Sequence, residues 1–178
     1  TPNGIFGAKM MWGYFGDFLC NLRQVPGYDH ASACHLLECI FPDLRYVFIT
    51  RQDKVRQAVS LWKAIQTQIW RKNVVPLTKE ESVLQEKRLM FHFGAIDHLV
   101  RQIVAHETAW WQYFEESGIE PLVVVYEAMV EALETTVQDA LRYLAIPIPE
   151  TLVLPHHGME RQADVRSEEW VQRYHALK

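Results

Sequence analysis

One stretch of the sequence, residues 46–63, restricts the fold more than any other. The stretch begins with a short apolar run, which predicts a buried β-strand over 45–50. Arg51 comes directly after this strand. An amphipathic helix is predicted to begin near Asp53, because apolar residues recur there at helical spacing. Such a junction suits an anion, since a helix N-terminus offers unpaired N–H groups and an arginine can grip a phosphate with two hydrogen bonds. We therefore predict that Arg51 and Ser60 bind a phosphate of a nucleotide.

Strand and helix patterns alternate along the chain. A second run of β-branched residues, 121–126, is too apolar for a strand with one solvated face, so the two runs predict a parallel sheet covered on both sides. The other predicted elements are a buried strand over 5–12 and helices over 14–40 in two pieces, from Thr78, from Ile96 to Gly118, over 128–145 and from Ser167. This order is typical of an α/β domain in which helices flank a parallel sheet. With 178 residues, the chain is predicted to form one domain, 1–178.

Charge and composition limit the classes of function. The net charge of −4 argues against a general nucleic-acid binder, because such proteins neutralise many phosphates with a basic surface. No apolar run approaches the roughly 18 residues that span a bilayer. The first residues also lack the pattern of a signal peptide, so a cytoplasmic protein without a transmembrane segment is expected. Three cysteines without C-x-x-C spacing favour reduced thiols packed as small hydrophobes, and no metal site is expected.

Three features fit a structural role as well as a functional one. Lys9 interrupts the apolar run 5–12, where an ammonium group must either extend to solvent or meet an anion. A basic and hydroxyl-bearing face that runs from Arg56 to Arg71 describes a solvated helix side as well as an extension of the anion site. The polar segment 159–166, with two arginines, suits a lid over a ligand or a solvated tail.

Several blocks of the sequence resemble the bacterial trehalose sulfotransferases. The three longest blocks extend from Thr1 through Trp12, from Arg51 to Arg71 and from Glu160 through Trp170. Shorter matches lie at Gly94-Ala95-Ile96 and Gly118-Ile119, so the similarity covers nearly the whole chain. The resemblance implies a sulfotransferase fold, related to the P-loop nucleotide kinases, in which helices flank a parallel sheet. It also implies transfer of a sulfuryl group from 3′-phosphoadenosine 5′-phosphosulfate (PAPS) to a hydroxyl of a carbohydrate such as trehalose.

The resemblance assigns residues to the donor PAPS. It implies that Arg51 and Ser60 hold the 3′-phosphate and that Arg161 reaches the same phosphate. Gln162 and Ala163 are then expected to lie against the nucleotide. Three of these five positions are therefore expected to contact a single phosphate group.

The resemblance also assigns residues to catalysis and to the acceptor. Lys9 is implied as the catalytic cation near the transferring sulfuryl group, where it stabilises charge that develops on the bridging oxygen. Gln66 and Trp70 are implied to bind the carbohydrate or glycolipid acceptor. No metal takes part in this chemistry, and the resemblance is compatible with a homodimer.

One part of the family pattern has no match in this sequence. In the family, a glycine- and serine-rich loop that wraps the 5′-phosphosulfate, and a carboxylate that acts as general base, precede the position of Thr1, and no such loop occurs in these residues. An N-terminally incomplete fold, part of a longer protein, is therefore expected. Two alternatives stay open: a truncated, catalytically inactive nucleotide- or partner-binding module, and a phosphoryl-transferring kinase. A kinase needs a Walker lysine loop and a magnesium-binding aspartate, and neither is evident.

Overall fold

The computed structural model describes residues 4–68, 89–149, 152 and 165–178. Its elements are, in chain order, α1 (Trp12–Leu22), α2 (Ala33–Ile40), β1 (Val47–Thr50), α3 (Lys54–Thr67), α4 (Phe93–Glu116), β2 (Leu122–Val125), α5 (Tyr126–Glu131), α6 (Leu133–Tyr143) and α7 (Val165–Leu177). The helix predicted from Thr78 lies outside the described residues. The two strands pair in a small parallel sheet among several helices, so the predicted α/β class with a parallel sheet is confirmed. The relation to P-loop kinases and the N-terminal incompleteness stay predictions.

Capping residues explain where α3 begins and where α4 ends. Asp53 is the N-cap of α3, and its Oδ1 accepts the backbone N–H of Arg56 at 2.8 Å. Gly118 follows α4 with a φ of +63°, a conformation that glycine adopts without a steric penalty. The N–H of Ile119 then donates to the carbonyl of Phe114 at 2.8 Å, which closes the helix end. The predicted helix start near Asp53 and the predicted stop at Gly118 are therefore confirmed.

The predicted strand over residues 5–12 is wrong. Residues 5–11 form no strand or helix and are mostly exposed, and α1 begins at Trp12. Trp12, Phe15 and Leu19 are the apolar residues of α1 that pack inward, so the end of the apolar run belongs to a helical pattern. A short apolar run fits a strand or a helix equally well, and here the spacing of the residues that follow it decided the outcome.

The sheet is less covered than the sequence predicted. Val47, Ile49 and Val123 are exposed, and Ile49 keeps 63% of its surface accessible. Since side chains alternate between the two faces of a strand, these residues leave apolar surface uncovered by the described chain. The prediction of a sheet buried on both sides is therefore wrong for the described residues. An apolar run indicates that a strand needs cover, but packing between distant segments determines which face receives it.

The described residues fall into two compact units, and the first comprises the described part of Thr1–Phe48 together with His106–Val123. Its core is mostly aromatic and joins α1, α2 and the end of α4. The buried residues are Phe15, Leu19, Leu36, Leu37, Tyr113 and Phe114. Trp12 and Trp110 add an edge-to-face contact with ring centroids 5.0 Å apart. Burial of each large side chain contributes about 1.5–3 kcal/mol, which makes this cluster the main source of stability in the unit.

The second unit comprises the described parts of Ile49–Ala105 and Val124–Lys178, and its core lies among α3, α4 and α7. The buried residues are Ala58, Val59, Ile96, Leu99, Trp170, Val171 and Tyr174. At the edge of this core the Tyr174 hydroxyl donates to Asp97 Oδ1 at 2.8 Å. The single domain over 1–178 stays a prediction.

Polar contacts also join α3 to α7. Arg56 donates through both terminal nitrogens to the carboxylate of Glu168, and Lys63 Nζ lies 3.1 Å from the hydroxyl of Ser167. These two residues belong to the basic face of α3 that the sequence left open between solvent and an anion site. The structure gives them a third role, since they hold α7 against α3.

Candidate functional site

Arg51 lies at the carboxyl end of β1, between Thr50 and the first turn of α3. Its side chain is 22% exposed, and its guanidinium carbon lies 4.2 Å from the centre of the Tyr126 ring. Tyr126 directly follows β2, and the carboxyl ends of parallel strands meet at one edge of a sheet. The ring therefore supports one face of the guanidinium through a cation–π contact.

Glu127 lies beside the same guanidinium. Its Oε2 accepts the backbone N–H of Gln52 at 3.0 Å, and its Oε1 lies 3.7 Å from Arg51 Nε. Both Oε1 and Nε are buried, and neither has a hydrogen-bond partner among the described residues. The pair is therefore within the range of an ion pair but beyond hydrogen-bond distance.

The carboxylate of Glu127 is stabilised in its charged form. Burial by itself raises the pKa of Glu127, but hydrogen bonds from backbone N–H groups of Gln52, Glu127 and Asp53, together with the charge of Arg51, outweigh it. The pKa of Glu127 consequently lies below its usual value. At neutral pH the site therefore holds an ionised carboxylate next to an arginine.

The N-terminus of α3 is less open than the sequence suggested. The carboxylate of Asp53 already accepts the N–H of Arg56, and Lys54 Nζ donates to Thr50 Oγ1 at 2.9 Å and to the carbonyl of Arg51. An anion at this junction would compete with Asp53 for the N–H groups of the first turn. The predicted binding of an anion at this junction therefore depends mainly on the guanidinium of Arg51.

Ser60 lies on α3 with its side chain exposed. It follows Lys54 by six residues, which places it about 9 Å further along the helix axis. An exposed hydroxyl can donate a hydrogen bond to a phosphate without first breaking a strong internal contact. Arg51 and Ser60, the two predicted phosphate contacts among the described residues, both belong to the second unit.

Gln66 uses its amide group on the backbone of another segment. Its Oε1 accepts the N–H of Met90 at 2.8 Å, and its Nε2 donates to the carbonyl of Met90 at 3.1 Å. Trp62 Nε1 donates to the same carbonyl at 2.9 Å. Gln66 therefore has a structural role in the described chain, and its binding of an acceptor stays a prediction.

The remaining predicted site residues are Lys9, Trp70, Arg161, Gln162 and Ala163. Lys9 is exposed in the irregular segment before α1 and belongs to the first unit. Its catalytic role stays a prediction. Trp70, Arg161, Gln162 and Ala163 lie outside the described residues.

Sequence reasoning missed Tyr126 and Glu127. Tyr126 ends the apolar run 121–126 and Glu127 directly follows it, as Arg51 follows its own run, and a parallel sheet brings such positions together. The signal that could have found them is this shared position at the end of a strand. It requires the two strands to be paired first, which the runs alone do not specify.

The described residues contain no set of three or more histidine, cysteine, aspartate or glutamate side chains arranged to hold a metal ion. The three cysteines, Cys20, Cys34 and Cys39, are free thiols, as predicted. Cys20 and Cys39 are exposed, so they do not pack as small hydrophobes in the way the sequence suggested.

Comparisons with known proteins give the chain a family. The sequence profile described as Stf0 sulphotransferase matches residues 1–177. Two similar relatives are named trehalose 2-sulfotransferase, one from Mycobacterium tuberculosis (strain ATCC 35801 / TMC 107 / Erdman) and one from Mycolicibacterium smegmatis (strain ATCC 700084 / mc(2)155). The first is 33% identical over 177 residues and the second 33% identical over 175 residues.

The extent of these matches differs between the chain and its relatives. The alignments cover 99% and 98% of this chain, and 62% of the length of each relative. The chain thus spans less than two thirds of the curated relatives it matches. Because the profile nevertheless matches it from residue 1 to residue 177, the chain belongs to the Stf0 sulphotransferase family.

Proposed function

We propose that the chain serves a sulfotransferase reaction, in which a sulfuryl group passes from PAPS to a hydroxyl of a carbohydrate such as trehalose. The observation that carries the proposal is Arg51, placed at the carboxyl end of β1 in a chain of the Stf0 family. Both similar relatives are named trehalose 2-sulfotransferase, which supports sulfuryl transfer to a carbohydrate acceptor. A cytoplasmic location and a homodimer stay predictions.

The donor site proposed here centres on the 3′-phosphate. The Tyr126 ring lies against one face of the Arg51 guanidinium, and Glu127 lies at its Nε edge. The two terminal nitrogens can therefore bind a phosphate with two hydrogen bonds. Ser60 adds a neutral hydroxyl donor. Arg161 is proposed to bind the same phosphate.

The other proposed contacts divide between donor and acceptor. Gln162 and Ala163 would line the nucleotide, and Gln66 and Trp70 would contact the sugar. PAPS supplies the sulfuryl group, and Lys9 would stabilise the negative charge that develops on the bridging oxygen during transfer. Most of the rate enhancement would then come from holding the two reactants in line.

Binding of adenosine 3′,5′-bisphosphate, the product form of the donor, tests the phosphate site. We expect Arg51→Ala to weaken the affinity about 10- to 100-fold, because hydrogen bonds to a charged group contribute about 1.5–3 kcal/mol. Isothermal titration calorimetry of the whole chain measures this. Arg101→Ala is the matched control, since it removes an arginine that is 71% exposed on α4. Equal affinities of the wild type and Arg51→Ala would refute the phosphate assignment.

A transfer assay tests the reaction itself. Radiolabelled PAPS is incubated with the chain and with trehalose, glucose or a glycolipid, and the label in each acceptor is counted. We expect the highest transfer to trehalose. Binding of the bisphosphate without transfer to any of the three acceptors would instead favour the inactive nucleotide-binding module.

A further inference from the structure

The contact between Arg51 and Glu127 has no counterpart in the functional roles assigned above. Two buried atoms, Arg51 Nε and Glu127 Oε1, face each other at 3.7 Å, and neither has a hydrogen-bond partner among the described residues. A buried donor or acceptor without a partner is costly. The two atoms therefore complement each other, and a small movement of either side chain forms a hydrogen bond.

Glu127 is itself held firmly. Its other oxygen, Oε2, accepts the backbone N–H of Gln52 at 3.0 Å, so the carboxylate is tied to the chain immediately after Arg51. The Tyr126 ring, 4.2 Å from the guanidinium carbon, restrains the same group from its face. A planar guanidinium that is supported on one face and one edge has few orientations left.

We propose that Glu127 is a positioning residue, which engages the Nε edge of Arg51 and thereby directs its terminal nitrogens toward the 3′-phosphate of the nucleotide. This inference rests on the proposed function, since it names the support of the same phosphate site. Arg51 then binds the phosphate as an oriented fork, which requires both a planar group and a fixed edge.

The direction in which a Glu127 substitution changes the affinity for the nucleotide distinguishes a positioning role from a simple effect of charge. A carboxylate near a bound phosphate repels it, so removal of a negative charge that has no other role strengthens anion binding. Removal of a positioning carboxylate weakens binding, because the guanidinium loses its fixed orientation. Glu127 is close enough to Arg51 for the two effects to oppose each other directly.

Calorimetry with two nucleotides tests the proposal. We expect Glu127→Ala to weaken adenosine 3′,5′-bisphosphate about tenfold, the equivalent of one good hydrogen bond. The same variant should leave adenosine 5′-monophosphate, which lacks the 3′-phosphate, unchanged. Glu127→Gln retains one oxygen acceptor and is expected to recover part of the lost affinity. Glu134→Ala, which removes an exposed carboxylate of α6, is the charge control.

A double-mutant cycle distinguishes positioning from a general loss of structure. If Glu127 acts through Arg51, Glu127→Ala has no further effect on bisphosphate affinity in the Arg51→Ala background. Independent effects that add in the double variant would overturn the proposal. Tighter or unchanged bisphosphate binding by Glu127→Ala would also overturn it, while the Arg51→Ala result would leave the proposed function standing.

A measurement without ligand tests the contact between Glu127 and Arg51 by itself. In the whole chain labelled with isotope-enriched arginine, NMR follows the exchange of the Arg51 Nε–H with water. We expect this exchange to be about tenfold faster in Glu127→Ala than in the wild type. If the wild type binds no bisphosphate, the proposed function fails, and this exchange rate decides the positioning role. An unchanged rate would overturn it.

Discussion

Gln66 shows how a single side chain can join two segments of the chain. Its amide exchanges two hydrogen bonds with the backbone of Met90, and Trp62 binds the same carbonyl. A glutamine is suited to this because its amide offers both a donor and an acceptor, as a backbone peptide does. The chain at Met90 is thereby held against α3.

We expect Gln66→Ala to lower the free energy of unfolding by about 1–3 kcal/mol, since two hydrogen bonds of about 0.5–1.5 kcal/mol each are lost. Urea denaturation followed by circular dichroism measures this. Gln102→Ala, at an exposed position of α4, is the control and should change stability by less than about 0.5 kcal/mol. A Gln66→Ala variant as stable as this control would show that the Met90 contacts contribute nothing in solution.

The predictability of the site differs from residue to residue. Arg51 could be chosen as a candidate from sequence, because a cation directly after an apolar run is a local pattern. Glu127 could not be chosen in this way, because its contact with Arg51 arises from the pairing of two strands separated by more than seventy residues in the chain. Gln66 was assigned to the acceptor through family resemblance, which carries no information about the backbone of Met90.

The α3–α7 pair is the element-scale contact with the most defined polar geometry. Arg56 binds both oxygens of Glu168, and its own backbone N–H is capped by Asp53. The side chains are 30% and 41% exposed, so solvent screens the pair only in part. A two-point arginine–carboxylate contact in such a setting is stronger than an ordinary surface ion pair.

A double-mutant cycle of Arg56→Ala and Glu168→Ala should give a coupling energy of about 1 kcal/mol in urea denaturation. The control cycle uses Arg142 and Asp139, which are 60% and 55% exposed on α6. That exposed pair is expected to give about 0.3–0.5 kcal/mol. Equal coupling energies in the two cycles would show that the α3–α7 contact is no stronger than an ordinary surface ion pair.

At the scale of elements, helices were easier to predict than strands. The start of α3 and the end of α4 follow from Asp53 and Gly118, whose chemistry acts within one turn of the helix. The positions of β1 and β2 also agree with their apolar runs. The run over 5–12 failed, and the cover of the sheet was overestimated, because both depend on which distant segments pack there.

At the scale of the molecule, a pair of tyrosines makes the free energy of unfolding depend on pH in the alkaline range. The hydroxyls of Tyr46 and Tyr113 lie 3.0 Å apart within the aromatic core of the first unit. Burial raises the pKa of both phenols, and for Tyr46 the hydrogen bond to Tyr113 raises it further. The unfolded chain therefore loses these protons at lower pH than the folded chain does.

The sign of the effect follows from proton linkage. A phenol with a raised folded pKa contributes its full stability below the unfolded value of about 10, and this contribution is lost as the pH rises toward the folded value. We expect the free energy of unfolding to fall above about pH 9.5 and Tyr46→Phe to reduce the slope of this fall. Urea denaturation across this pH range measures it. Tyr14→Phe, at an exposed position of α1, should leave the slope unchanged.

The edge-to-face contact of Trp12 with Trp110 has a spectroscopic consequence. Two indole rings with centroids 5.0 Å apart and planes at 77° couple their electronic transitions, which produces a paired positive and negative band in ultraviolet circular dichroism. The tryptophans described in the second unit, Trp62 and Trp170, contact His92 and Phe91 instead. The paired band is therefore an intrinsic optical label of the first unit, which reports its packing without any attached dye.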